Sequence, residues 1–188
     1  MRQIDISKKN IFLTLCGFEM TWFACVIGDY KGFPSLGIIL GLLYLTLFFY
    51  FANHRAKAIK ICIKYSVLGI IFDSFLSYSG LYIINSSFMF GFIPIWLVVL
   101  WISFSTLFVD ILIFLKKRRF ISFLVGFLLV PPTYYVGIAL NIAKSNNLFL
   151  TLLTMAIFWG ALLLSLIHIS EPTRRTPISY AVFCLKKW

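Results

Sequence analysis

Six apolar runs, at about 11–27, 33–51, 61–82, 93–115, 120–140 and from 148 to 163 or beyond, are separated only by short polar connections. About 20 apolar residues coiled into a helix cover the roughly 30 Å hydrocarbon core of a bilayer. Inside lipid every backbone N–H and C=O has to be satisfied within its own segment, so runs of this length are expected as helices. No polar stretch is long enough to make a soluble domain. The expected fold is therefore all-α: a polytopic membrane protein, a bundle of six transmembrane helices forming one domain over 1–163. Composition agrees, with 61% hydrophobic and 12% charged residues, against about 25% charged in soluble domains.

A formal net charge of +11 would suggest nucleic acid in a soluble chain. Here topology accounts for it. With the N-terminus cytoplasmic, Arg2, Lys8, Lys9, Arg55, Lys57, Lys60, Lys64, Lys116, Lys117, Arg118 and Arg119 fall on the inner side, and only Lys31 and Lys144 on the outer. Eleven against two is the asymmetry of a chain obeying the positive-inside rule. The expected partners are thus the lipid bilayer, a small-molecule or lipid ligand, and a membrane partner or second copy, with no nucleic acid. Glu19 interrupts the first run and no small-x-small cleavage site follows it, so that run reads as an uncleaved first helix.

The C-terminal stretch 164–188 is set apart. Its two halves, LSLIHISEPTR and ISYAVFCLKK, read as the in-frame translation of a sequencing-library adapter, with Arg175, Thr176 and Pro177 where a sample barcode would sit. His168, Glu171 and Cys184 are accordingly not site candidates, and the native C-terminus is expected to differ from this one.

Asp73 is the leading candidate site residue. At 100° per residue, Cys62, Ser66, Gly69, Asp73, Ser77 and Gly80 share an arc of roughly 80° on an otherwise apolar helix. Asp73 lies roughly 18 Å from the start of its run, near the middle of a hydrocarbon core. An ionised carboxylate at that depth costs several kcal/mol unless partnered. Asp73 is therefore expected neutral at rest, facing other helices or water. Either it binds a proton or solute, or it holds a neighbouring helix by a hydrogen bond.

Further candidates sit on the other runs. Trp96, Ser103, Thr106 and Asp110 share a second arc of roughly 80°, but Asp110 lies about 10 Å from Asp73 in depth, too far to share a proton. Glu19 stands mid-run opposite the small residues Thr14, Gly17, Thr21, Cys25 and Gly28, which form a close helix-packing face. Pro131 and Pro132 remove backbone donors and break or kink the fifth run, with Gly126, Thr133 and Gly137 on one face beside the break. Broken spans are tolerated where they line protein or a wet cavity. Cys16, Cys25 and Cys62 read as small buried hydrophobes. No clustered His and Cys ligands, phosphate loop, HExxH or Gly-x-Ser-x-Gly motif occurs, so no metal site and no cofactor are expected.

Trp22-Phe-Ala-Cys-Val26, Asp73-Ser74 after an apolar run, Pro94-Ile-Trp96 with Trp101 and Phe104, and the spacing Pro131-x-x-Tyr134-x-x-Gly137 together resemble the bacterial inner-membrane family catalogued as domain of unknown function 2878. The resemblance implies a multi-pass protein of the bacterial inner membrane, adds Tyr134 to the candidates, and hints at envelope lipid metabolism. The leading expectation for function is a small-solute carrier or carrier subunit, proton-coupled through Asp73. The rivals are a membrane-embedded enzyme or accessory factor acting on lipids, and a non-catalytic scaffold. With no catalytic constellation visible, the reading leans away from an enzyme.

Overall fold

The computed structural model describes residues 8–110 and 118–169. Its helices are α1 (Lys8–Tyr30), α2 (Pro34–Phe51), α3 (Arg55–Tyr78), α4 (Ile95–Asp110), α5 (Arg119–Leu129), α6 (Pro131–Ala139) and α7 (Leu148–Ile169). Among the described residues, four stretches are long and apolar enough to cross a membrane: Ile11–Tyr30, Pro34–Phe51, Phe120–Ala139 and Leu148–Ser165. The third of these is α5 and α6 taken together. Among the described residues the other two expected spans do not meet that standard. Helix α3 carries Arg55, Lys57, Lys60 and Lys64, and the described part of α4 gives only the shorter apolar helix Ile95–Val109. Outward faces are apolar, with Ile39, Leu43, Ile63, Ile71, Leu129 and Ile157 all exposed. A water-facing surface rarely leaves so much apolar area uncovered.

Close packing follows the small residues. Cβ atoms at Gly17 and Gly37 would overlap the Tyr44 ring and the Cys25 backbone respectively. Thr14, Thr21 and Cys25 are buried on the same face of α1. The small-residue face of α1 is thus its contact with α2, as its spacing implied. The turn between them closes through Lys31 N–H to Ile27 O and Phe33 N–H to Gly28 O. Gly32 takes a positive φ of 80° there, and Pro34 opens α2, where its missing N–H costs nothing.

Helix α4 is the hub of the first four, lying against α1, α2 and α3, while α5, α6 and α7 pack mainly on one another. Polar side chains tie the first group together. The Tyr44 and Thr106 hydroxyls are 2.5 Å apart, and Ser66 and Ser105 are 3.0 Å apart across α3 and α4. Rings join the two groups: Phe72 stacks on Phe158 at 3.5 Å, and Trp101 on Trp159 at 4.9 Å.

Four two-residue strands modify the all-helical expectation. Strand β1 (Ile83–Ile84) pairs antiparallel with β4 (Ala143–Lys144), and β2 (Met89–Phe90) pairs with β3 (Ile93–Pro94). The β1–β4 ladder clips the connection after α3 to the one after α6. The Ser86 hydroxyl donates to Asp29 Oδ1 at 2.6 Å, bringing in the end of α1. Three connections thus meet at one end of the bundle, as an alternating up-and-down path requires, and they include Lys31 and Lys144.

Helix α3 also departs from its expected bounds of 61–82. It begins at Arg55 and ends at Tyr78, after which Gly80 takes a φ of 75°. Asp73 therefore stands five residues from the end of its helix, about 7.5 Å along the axis. The helix bounds expected from hydropathy are corrected accordingly, because apolarity marks where lipid is tolerated rather than where the helix stops.

Candidate functional site

Cys62, Ser66, Gly69 and Asp73 are all buried, so the polar stripe of α3 faces the interior. Ser66 also returns its hydroxyl to the Cys62 carbonyl at 2.6 Å, which satisfies it locally. Asp73 is 1% exposed. It accepts the Trp101 indole N–H at 2.6 Å on Oδ2 and the Tyr134 hydroxyl at 3.2 Å on Oδ1. Two donors from two other helices thus converge on one carboxyl group. The side chain with the greatest need of partners draws α3, α4 and α6 together.

Trp101 reaches Asp73 because Gly69, one turn earlier on α3, has no side chain. A Cβ there would overlap the indole ring. Tyr134 reaches it from α6, directly after the proline break. Val130 links α5 to α6 in an ordinary helical conformation, and Thr133 N–H bonds to Val130 O in a tightened turn. The prolines interrupt the hydrogen-bond ladder without reversing the chain. Gly137, one turn beyond Thr133, is packed under the Tyr82 hydroxyl, which donates to Tyr134 O at 3.4 Å.

Beside Asp73 lies a cavity of about 240 Å³ between the two helix groups. Its walls come from Phe18, Glu19, Trp22 and Val26 of α1, from Trp96, Leu97, Leu100, Trp101 and Phe104 of α4, from Val130, Thr133, Tyr134 and Gly137 around the break, and from Trp159 of α7. Both residues that donate to Asp73 line it. Glu19 and Thr133 line it and are exposed, which puts the opening between α1 and α6. An apolar cleft with a few convergent polar groups is the ordinary form of a small-molecule site.

The sequence candidates divide around this cavity. Glu19, Trp96 and Tyr134 line it. Asp73 stands behind its wall, hydrogen-bonded to Trp101 and Tyr134. Pro131 and Pro132 lie within the broken span that forms one side. Ser77, half-buried, does not line it. Ser103 and Thr106 are buried as their arc with Trp96 implied, but they face the α1–α2 side, where Thr106 meets Tyr44. Asp110 ends α4, nine residues beyond Trp101, about 13 Å along the axis. That keeps the two acids apart as expected, and the Asp110 side chain lies outside the described residues. No group of three or more His, Cys, Asp or Glu able to hold a metal ion occurs among the described residues.

Single-helix periodicity did not reveal Trp159, Trp22, Tyr82 and Phe104 as cavity walls. Their one sequence signal is abundance. Four of the chain's five tryptophans line this cavity, where a bundle held only by aliphatic packing would need none.

No curated protein and no solved structure matches the chain. A family model covers residues 11–165. With its run of apolar helices and its Asp73 cluster, the chain belongs to the family described as Protein of unknown function (DUF2878).

Proposed function

We propose that this protein is a small-solute carrier, or the solute-binding subunit of one. It would lie in the bacterial inner membrane with its N-terminus cytoplasmic and its helices crossing the bilayer six times. The aromatic cavity is the binding chamber. The observation that carries this reading is the tie between chamber and acid: Trp101 and Tyr134 each line the chamber and each donate to Asp73. A solute that displaces either ring changes the hydrogen bonding of Asp73. A change in its proton affinity moves the rings in return, as linkage requires. This reciprocity is the elementary requirement of proton-coupled transport.

A thermal-shift screen of small solutes on the purified chain, followed by flux of any stabilising solute in proteoliposomes, tests the reading. Asp73→Asn should still fold and bind, yet lose proton-coupled movement. A variant that only loses stability, with coupling intact, would favour a scaffold in which Asp73 fixes helix packing.

The position of the chamber's opening favours a second reading. Glu19 and Thr133 border it at mid-helix level between α1 and α6, where a spanning bundle would face lipid. A ligand arriving from the bilayer suits an enzyme or accessory factor of envelope lipid metabolism. A lipid profile unchanged by deletion of the gene would count against that alternative.

A further inference from the structure

We propose that the chamber takes a hydrophobic cation, an amine or quaternary ammonium group on an apolar body, with Glu19 as its counter-charge. This rests on reading the cavity as a solute-binding chamber. Its lining includes the rings of Trp22, Trp96, Trp101, Phe104, Tyr134 and Trp159, one carboxylate, and no Lys, Arg or His. Aromatic faces carry negative electrostatic potential and attract cations, most strongly where water is excluded. Nε1 of Trp96 and Nε1 of Trp159 are both fully buried, so these indoles offer the chamber ring carbon rather than N–H donors. An anion would meet the same faces and Glu19 at a disadvantage.

Glu19 gives the second, independent reason. It sits at the midpoint of α1, is exposed, and makes no ion pair or hydrogen bond among the described residues. A carboxylate at the centre of an apolar helix either stays neutral or finds a positive partner. The described residues supply none at this cavity, and a cationic ligand would. Glu19 plays no part in the Asp73 cluster or in the α1–α2 contact, so its presence on the chamber wall is otherwise unused.

The test uses the full chain in nanodiscs of zwitterionic lipid and three probes of similar shape: benzyltrimethylammonium, its neutral isostere neopentylbenzene, and the anion benzylsulfonate. Intrinsic fluorescence reports occupancy, since four of the five tryptophans line the chamber. The cation should bind about tenfold or more tightly than the isostere. Glu19→Gln, at an exposed position, should reduce that preference several-fold, the aromatic faces keeping the remainder. Equal binding of cation and isostere, a preference for the anion, or a cation preference undiminished in Glu19→Gln would overturn the proposal and leave the chamber standing. If none of the three probes alters fluorescence or thermal stability, the chamber reading fails together with the proposal.

Discussion

Trp101 donates its indole N–H to Asp73 at 2.6 Å while its ring stacks on Trp159 at 4.9 Å and 7°. One side chain of α4 thereby joins the polar stripe of α3 to the last helix. The same indole is a wall of the cavity, so the acid, the chamber and the seam between the two helix groups share a single ring.

Trp101→Phe keeps most of the ring and removes the donor to Asp73. The loss should be about 1–2 kcal/mol, because a buried acceptor loses its shortest hydrogen bond, although such bonds between membrane helices average less than in water-soluble cores. The measurement is a double-mutant cycle of Trp101→Phe and Asp73→Asn, read as unfolding in detergent. A coupling energy above about 0.5 kcal/mol is expected for side chains in direct contact. Additive effects would separate the pair.

Gly69→Ala places a methyl group against the Trp101 ring. That ring is held by Asp73 on one helix and Trp159 on another, so it has little room to give. Overpacking of this kind costs about 1–3 kcal/mol. Tryptophan emission should shift as the indole moves, and a lowered unfolding midpoint should accompany it. An unchanged spectrum and midpoint would contradict the close approach of α3 and α4.

Orientation in the membrane has its own readout. The connection containing Ser87 meets Asp29 and Lys144 at one end of the bundle, while Lys57 lies in the basic first turn of α3. In a background lacking reactive cysteines, Ser87→Cys should react with an impermeant thiol reagent added to intact cells. Lys57→Cys should react only once the membrane is opened. The reverse pattern would invert the topology.

The inward polar face of α3 was legible because Cys62, Ser66, Gly69 and Asp73 repeat at helical spacing among mostly Ile, Leu, Val and Phe neighbours. The small face of α1 was legible for the same reason. The partners of Asp73 were not, since Trp101 and Tyr134 lie 28 and 61 residues away and such pairings are decided by how whole helices dock. One local hint existed: Gly69, one turn before the acid, leaves room for a large ring. The ends of α3 escaped notice because Arg55, Lys57 and Lys60 are good helix formers that hydropathy discounts. The β1–β4 clip escaped because two-residue strands carry no alternation to detect.

The chamber itself is tested most directly by filling it. Thr133 lines the cavity and is exposed at its opening, so Thr133→Trp should plug it with little change in the fold. A thermal-shift screen of small solutes, run in parallel on the wild-type chain and on Thr133→Trp, should find solutes that raise the wild-type midpoint and leave the variant unmoved. Both proteins must start from closely similar midpoints. Solutes that stabilise both equally, or a library that stabilises neither, would contradict the account.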